Sequence, residues 1–315
     1  MNQNSARIVV TGGAGFIGSH LVDRLLAETR ADIAVFDNLS RGRLANLAHH
    51  QSGGRVRILE GDVRDLDAVA DAIRGAAVVY HLAARSRVMA DEEDVDRTFA
   101  TNVVGTYNVL RAAANHAVGR LIFASSHEVY GDPAALPVDE GQPLLTISGY
   151  GASKAAGEAY CRAFRRLFGL DTVILRLTDV YGPRDFGRPI PIWLEEAAAG
   201  RELRVSDATE IVDLIWIDQA VEALIRAAAL DRPVPPINVA SGTGTRVIDV
   251  VRRIRRLTGG RGEIKLLPTR SIRRTHFVAS VERMRQILLI EPALDPLAHL
   301  PKLLPAVAAS VAVEA

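Results

Sequence analysis

The sequence predicts an α/β fold in which a doubly wound parallel sheet is followed by a smaller, loop-rich α/β region. A β-branched run at residues 8–10 leads through a glycine cluster into a helical pattern. Strand and helix patterns then alternate from residue 7 to about 175. Strands joined by helical crossovers lie parallel, and ligands bind at the carboxyl ends of such strands.

The first loop has the spacing of a dinucleotide-binding turn. Gly13, Gly15 and Gly18 fit the pattern G-x-G-x-x-G, and Gly12 precedes them. One glycine makes the turn, one lets the backbone approach a pyrophosphate, and one lets helix and strand pack closely. The N–H groups at the start of the helix then face the phosphates.

The second strand, residues 31–36, ends in Asp37, nineteen residues after Gly18. A carboxylate at this position accepts hydrogen bonds from a ribose diol and repels a 2′-phosphate, so we expect NAD rather than NADP. Arg41 and Arg43 follow closely and are the residues that would favour NADP instead. Together, these features predict a Rossmann nucleotide site.

The next elements continue the alternation. We expect strands at residues 56–59, 77–82, 121–124 and 172–175 and helices at 66–73, 95–117 and around 150–168. Asp62 follows the third strand, where a short carboxylate can reach an adenine amino group. Ala83 and Ala84 end the fourth, where small residues let a cofactor lie against the backbone.

Beyond residue 176 prolines interrupt the rhythm. We expect helices at 192–199, 220–229 and 247–258, the second capped by Asp218, and short strands at 203–205, 213–217 and 237–239. The predicted division is a cofactor domain over residues 1–175, joined by the strand and helix near 211–230. Residues 176–315 form a substrate domain interleaved with it.

The composition describes an ordinary globular enzyme. The 315 residues are 48% hydrophobic and 24% charged, and the net charge is +1, which gives no reason to expect nucleic acid or a membrane surface as a partner. The single cysteine, Cys161, excludes a disulfide framework and a cysteine-cluster metal site, and we expect no metal. Without a long apolar run or a signal-peptide core, a cytoplasmic location is expected.

Three residues have the chemistry needed to oxidise an alcohol. Tyr150 and Lys154 are four residues apart and share one helix face. The Lys154 ammonium is expected to lower the phenol pKa, and Lys154 can also hold a nicotinamide ribose. Ser126, at the end of a neighbouring strand, can bind the same substrate hydroxyl and pass a proton.

With these residues identified, the sequence resembles the extended short-chain dehydrogenase/reductase superfamily. Within it, the sequence resembles the NAD-dependent epimerase/dehydratase branch, which acts on nucleotide sugars. The similarity extends to about residue 290 and is carried by the segments 11–18, 37–40, 61–63, 81–84, 102–106, 150–154, 176–184, 213–218 and 238–244. It implies a tightly held NAD and a homodimer built from the helices at 95–117 and 150–168.

The resemblance also extends the list of site residues. The expected NAD-binding residues are Gly12, Gly15, Phe16, Ile17, Gly18, Asp37, Asn38, Ser40, Gly42, Asp62, Val63, Leu82, Ala83, Ala84, Asn102, Ser125, Tyr150 and Lys154. The expected substrate-binding residues are Arg85, Ser126, His127, Tyr150, Asp179 and Arg270, with Arg273 and Arg274 as alternatives to Arg270.

Several positions depart from the family pattern at the substrate phosphates. Asp179 stands where the family usually has a phosphate-binding Asn, and a carboxylate there repels a diphosphate unless it is protonated or paired. Val212 replaces an Arg that grips the pyrophosphate, and residues 205–208 replace the loop that shapes the base pocket. These departures leave the sugar and the nucleotide open.

The departure at Glu128 leaves the reaction open. In dehydratases and decarboxylases of this branch a Glu at this position acts as a base around C4 oxidation, so Glu128 is either a second acid/base beside the sugar or a structural carboxylate at a strand end. His127 beside it is either a proton-transfer group or a hydrogen-bonded loop residue. Ser126, Tyr150, Lys154 and Glu128 are thus the candidate catalytic residues. A nucleotide-sugar 4-epimerase is the leading prediction, a dehydratase or decarboxylase using Glu128 the second, and a non-catalytic NAD sensor the third.

Overall fold

The structure, a computed structural model, describes residues 6–85, 95–268 and 276–305. Its strands are β1 (Arg7–Thr11), β2 (Asp32–Asp37), β3 (Val56–Glu60), β4 (Ala76–His81), β5 (Arg120–Ser126), β6 (Thr172–Leu177), β7 (Asp179–Tyr181), β8 (Leu203–Val205), β9 (Ile211–Trp216), β10 (Ile237–Val239), β11 (Gly244–Arg246) and β12 (Ile264–Leu266). Its helices are α1 (Phe16–Glu28), α2 (Leu66–Ile73), α3 (Val95–Thr98), α4 (Gly105–Asn115), α5 (Gly149–Phe168), α6 (Pro189–Ala198), α7 (Ile217–Ala228), α8 (Val247–Leu257) and α9 (Glu282–Leu288).

The large sheet has seven strands in the order β10-β6-β5-β4-β1-β2-β3, and every pair is parallel. The strand order reverses between β1 and β4, which makes the crevice at their carboxyl ends the expected ligand site. The prediction of a doubly wound parallel sheet is therefore confirmed.

Successive residues of the central strands fill two separate cores. Val10 and Ile122 belong to the core under α1 and α7, whereas Val9 and Phe123 belong to the core under α2, α4 and α5. This follows from the period of two residues along a strand, because each strand is covered on both faces. Cys161 is fully buried in the second core, as expected.

Two small sheets lie outside the large one. One has the order β11-β9-β7, and the other pairs β12 with β8. The predicted division joined the strand near residue 211 to the first domain. In the structure this strand, β9, pairs with β7 and β11 instead. The helix after it, α7, packs against α1, which covers one face of the large sheet. The division into two domains stays a prediction.

Two local predictions differ from the structure. The expected continuous helix over residues 95–117 contains a π-helical stretch, Phe99–Val104, between α3 and α4. Asp218 does not cap α7: the helix already begins at Ile217, and the Asp218 carboxylate in its first turn accepts a hydrogen bond from Trp216 Nε1 at 2.9 Å.

Across the described ranges, no helix is both long enough and apolar enough to cross a bilayer.

Candidate active site

A cavity of about 950 Å³ runs along the carboxyl ends of the large sheet and continues toward α6 and β9. Its volume is in the upper range for small-molecule sites. The predicted site residues that line it are Gly12, Gly15, Phe16, Ile17, Gly18, Asp37, Asn38, Ser40, Gly42, Val63, Leu82, Ala83, Ala84, Arg85, Ser125, Ser126, His127, Glu128, Tyr150, Lys154 and Asp179. Asp62 and Asn102 lie beside the cavity without lining it, and Arg270, Arg273 and Arg274 lie outside the described residues.

The glycine turn has no room for side chains. Gly12 has φ +72°, and a Cβ on it would lie 2.8 Å from the backbone N of Ala83. A Cβ on Gly18 would lie 2.2 Å from the Gly12 carbonyl oxygen. Helix α1 begins here with no side-chain cap and no acidic residue in its first turn, so its N–H groups fit a pyrophosphate. Gly12 rather than Gly13 makes the turn, because Gly13 packs against Val35 instead.

Asp37 is held rigidly at the end of β2. Its carboxylate accepts hydrogen bonds from the backbone N–H groups of Ala14 at 3.0 Å and Leu39 at 2.9 Å. Its side chain is nearly buried, and burial raises its pKa. A Cβ on Gly42 would lie 2.7 Å from Asp37 Oδ1, so this glycine leaves the carboxylate accessible from the cavity.

Asp62 and Asn102 have partners within the protein. Asp62 accepts hydrogen bonds from Arg64 and Asn38, and the contact with Arg64 lowers its pKa. Asn102, in the π-helical stretch, bonds the backbone N–H and C=O of Arg85 and the hydroxyl of Ser153. It thereby ties the loop after β4 to helix α5. A direct contact of either residue with a cofactor stays a prediction.

Ser126, Tyr150 and Lys154 meet in the middle of the cavity. Ser126 is the last residue of β5, and Tyr150 and Lys154 face it from successive turns of α5. The Lys154 ammonium donates to the Ala124 carbonyl at 2.7 Å and lies 5.7 Å from the centre of the Tyr150 ring. Burial lowers the pKa of Lys154 to about 8.

The pKa of Tyr150 moves against expectation. Burial raises it, and the negative charge of Glu128 adds to this effect, whereas Arg188 and the hydrogen bond with Ser126 lower it. The net direction is upward, opposite to the one that the Tyr150–Lys154 spacing predicts. The physical reason is that the free-energy cost of burying a phenolate exceeds the stabilisation that it receives from Arg188 and Ser126.

Glu128 contacts both the site and the start of α5. Its carboxylate accepts a hydrogen bond from Ser148 Oγ at 2.8 Å, and Ser148 Oγ in turn accepts one from the Gly151 N–H at 2.9 Å. Glu128 therefore supports the N-cap of the helix that carries Tyr150. The neighbouring His127 ring packs against Phe277 with 4.7 Å between ring centres.

The substrate end of the cavity contains a cation that the sequence did not single out. Arg188, immediately before α6, lies 3.8 Å from the Asp179 carboxylate and 4.0 Å from that of Asp185. Burial raises the pKa of Asp185 to about 6. Val212 also lines this end. No spacing or motif distinguished Arg188 from the other arginines; only the pairing of β7 with β9 reveals its neighbours.

A group of possible metal ligands lies outside the cavity. Asp23, His49 and His50 come together on α1 and the turn after β2. Asp23 Oδ1 contacts Nε2 of His49 at 3.0 Å and of His50 at 2.7 Å, and Asp23 Oδ2 pairs with Arg184 at 2.8 Å. The carboxylate thus already has protein partners on both of its oxygens.

Comparison with known proteins places this site in context. The chain matches the model of the NAD dependent epimerase/dehydratase family over residues 8–240. It is 33% identical over 295 residues to a UDP-glucose 4-epimerase of Mycolicibacterium smegmatis, covering 91% of this chain and 93% of that protein.

Two solved structures have the same fold. A Thermotoga maritima UDP-glucose 4-epimerase with UDP-glucose aligns with a TM-score of 0.90 and 28% identity, over 97% of this chain and 99% of that one. A dTDP-glucose 4,6-dehydratase of Streptomyces venezuelae with NAD bound aligns with a TM-score of 0.91 and 27% identity, over 98% of both chains. The glycine turn and the Tyr150–Lys154 pair in the cavity agree with these comparisons. The chain belongs to the NAD dependent epimerase/dehydratase family.

Proposed function

We propose that the protein is a nucleotide-sugar 4-epimerase that uses NAD to oxidise the sugar transiently at C4 and then to reduce it again. The observation that carries this proposal is the convergence of Ser126, Tyr150 and Lys154 on one cavity wall, in line with the glycine turn. Family membership and the similarity to UDP-glucose 4-epimerases support it.

The residues that would hold NAD are those of the glycine turn, Asp37 and Lys154. The free N–H groups of α1 would bind the pyrophosphate, Asp37 one ribose and Lys154 the other. When bound, NAD supplies a hydride acceptor that also returns the hydride. The glycine positions that tolerate no Cβ and the uncapped start of α1 are the structural reasons that this site fits the cofactor.

The chain's own residues would move the proton. Tyr150 as the phenolate takes the proton of the C4 hydroxyl, and Ser126 holds the same oxygen. Arg188 and the hydrogen bond with Ser126 favour the phenolate, and the Lys154 ammonium lies 5.7 Å from the centre of the same ring. On the return step Tyr150 gives the proton back to the inverted alkoxide.

We expect NAD to bind more tightly than NADP. Both oxygens of Asp37 are fixed by backbone N–H groups, so the carboxylate cannot turn away from a 2′-phosphate. Arg43 lies over the Phe186 ring at 3.9 Å, and Arg41 donates to the Phe186 carbonyl at 3.0 Å, so both arginines already have partners. Calorimetric titration of the two cofactors checks this expectation. Equal or tighter binding of NADP would contradict it.

Elimination or decarboxylation through Glu128 is the second candidate, favoured by the position of this carboxylate beside Tyr150. Under the epimerase proposal we expect Glu128→Gln to retain turnover within about tenfold, because the Gln carbonyl still accepts the Ser148 hydrogen bond. Loss of the negative charge lowers the Tyr150 pKa, so the acid limb of the pH profile of turnover should move to lower pH.

The Glu128→Gln variant is assayed for turnover and for the absorbance of reduced cofactor after substrate is added. Ser148→Ala is the structural control, since it removes the cap and costs about 1 kcal/mol of stability without changing charge. Reduced cofactor that accumulates in Glu128→Gln alone would assign Glu128 to a later chemical step and favour the second candidate.

We also propose a homodimer and a cytoplasmic location. Large apolar side chains are exposed along α3, the π-helical stretch and α5, as expected for a helix-to-helix contact between subunits. They are Val95, Phe99, Val104, Leu167 and Phe168. Val109 and Leu110, which lie on the same predicted helix over residues 95–117, are instead buried in the core of the subunit.

The proposed function is tested by incubating the NAD-loaded protein with a panel of nucleotide hexoses and following product mass and stereochemistry. A product of unchanged mass with C4 inverted supports the epimerase. Loss of the mass of water or of carbon dioxide supports the second candidate. A protein that binds NAD but converts no member of the panel would favour the sensor.

A further inference from the structure

One loop contributes two charged side chains to the substrate end of the cavity. Residues 182–188 connect β7 to α6, and both Asp185 and Arg188 of this loop line the cavity. Among the described residues, the Arg188 guanidinium donates one hydrogen bond, to the Val180 carbonyl at 3.1 Å, and its side chain is 31% exposed. Its contacts with Asp179 and Asp185, at 3.8 and 4.0 Å, exceed hydrogen-bond length. Most of its five N–H donors are therefore available to a ligand.

The backbone of this loop is fixed to the nucleotide-binding part of the molecule. His20 on α1 contacts the Pro183 carbonyl at 2.9 Å, and Asp23 on the same helix pairs with Arg184 at 2.8 Å. Arg41 donates to the carbonyl of Phe186. These contacts hold the start of α6, and with it Arg188, at a set distance from the glycine turn. A cation that is already held in position loses little conformational entropy when it binds an anion.

Strand pairing brings Asp179, the acidic neighbour of Arg188, close to the position where the family has its phosphate-binding arginine. In the β7–β9 pair Asp179 is opposite Leu214, and Val212 is two residues before Leu214 on the same strand face. Both Val212 and Leu214 line the cavity. Val212 cannot bind an anion and the Asp179 carboxylate repels one, whereas Arg188, 3.8 Å from that carboxylate, can supply positive charge to this part of the wall.

We propose that Arg188 binds the diphosphate of the substrate, in the role that the family assigns to an arginine at position 212. Asp179, 3.8 Å from the guanidinium, competes with the phosphate oxygens for this cation. This inference rests on the proposed function, because it assumes a nucleoside diphosphate in the substrate. Bidentate contact with phosphate is the geometry for which a guanidinium is suited.

The test uses calorimetry on the NAD-saturated protein with UDP, dTDP, GDP, CDP and ADP, each compared with its nucleoside. For the nucleoside diphosphate that binds most tightly, Arg188→Gln should weaken its binding by about 10- to 100-fold, as expected for loss of hydrogen bonds to a charged group. The affinity for the matching nucleoside should stay unchanged. Arg204→Gln, on β8 and paired with Glu202 outside the cavity, is the matched control and should leave both unchanged.

Two further variants test the exchange of roles. Val212→Arg added to Arg188→Gln should recover at least tenfold of the lost diphosphate affinity, and Asp179→Asn alone should tighten the diphosphate by about tenfold because it removes the competing carboxylate. An unchanged ratio of diphosphate to nucleoside affinity in Arg188→Gln would overturn the proposal. UDP-glucuronic acid is titrated as well, and an effect of Arg188→Gln on it that is absent with UDP would also overturn the proposal, since Arg188 would then bind a sugar carboxylate.

Failure of the proposed function looks different. If the wild-type protein binds NAD but none of the five nucleoside diphosphates, the nucleotide-sugar assignment fails, and the role of Arg188 fails with it. If the wild type binds one of them and converts the corresponding sugar, the comparison of Arg188→Gln with Arg204→Gln decides the proposal.

Discussion

Replacing Tyr150 with Phe should reduce turnover by about 10²-fold or more, while NAD still binds. The change removes only the phenol oxygen, which is the proposed base, and a positioned acid or base contributes about 10²- to 10⁴-fold. The ring, its place on α5 and the Lys154 contact with Ala124 remain. Turnover is measured on the nucleotide hexose that the wild type converts, and NAD affinity is measured by titration.

Tyr160→Phe is the matched control for this change. Tyr160 is on the same helix, packs edge-on against Tyr107 and does not line the cavity. It should therefore keep wild-type turnover. A Tyr150→Phe protein that turns over like Tyr160→Phe would show that the base is another residue.

Replacing Arg176 with Met should lower the free energy of unfolding by about 3–5 kcal/mol, because it leaves a buried carboxylate without its cation. Arg176 contacts both oxygens of Glu158, at 2.8 and 2.7 Å, and both side chains are almost fully buried beneath the site. The Ser125 hydroxyl also donates to Glu158, at 2.7 Å, and Glu158 is one helical turn after Lys154. The pair thus supports both elements that carry the proposed catalytic residues.

Denaturant unfolding measures this effect, with Arg162→Met as the control. Arg162 contacts the same Glu158 carboxylate at 3.3 Å but is half exposed, so its loss should cost less than about 1 kcal/mol. The double replacement of Arg176 and Glu158 by Met should recover much of the stability. If the two single arginine variants unfolded alike, burial of the pair would not determine its contribution.

The order of the elements and the nucleotide half of the site were predictable from local pattern. Runs such as residues 8–10 and 121–124 are apolar because both faces of the sheet are covered, and the spacing of Gly12, Gly15 and Gly18 is imposed by close backbone contacts within one turn. Tyr150 and Lys154 share a face because helical periodicity places them there.

The features that the sequence did not reveal depend on contacts between distant segments. The π-helical stretch is associated with Asn102, which bonds Arg85 and Ser153, 17 and 51 residues away in sequence. The Tyr150 pKa depends on Glu128, Arg188 and Asp179, which three different segments bring to it. Arg188 became a candidate only because β7 and β9 pair beside it.

The most direct test of reversible C4 oxidation uses the converted hexose labelled with deuterium at C4. Because the hydrogen removed from C4 is expected to return to the same carbon on the opposite face, the product should be the C4 epimer with the deuterium retained at C4 and the mass unchanged. Deuterium lost to the solvent, deuterium moved to another carbon, or a product lighter by water or carbon dioxide would contradict the assignment as a 4-epimerase.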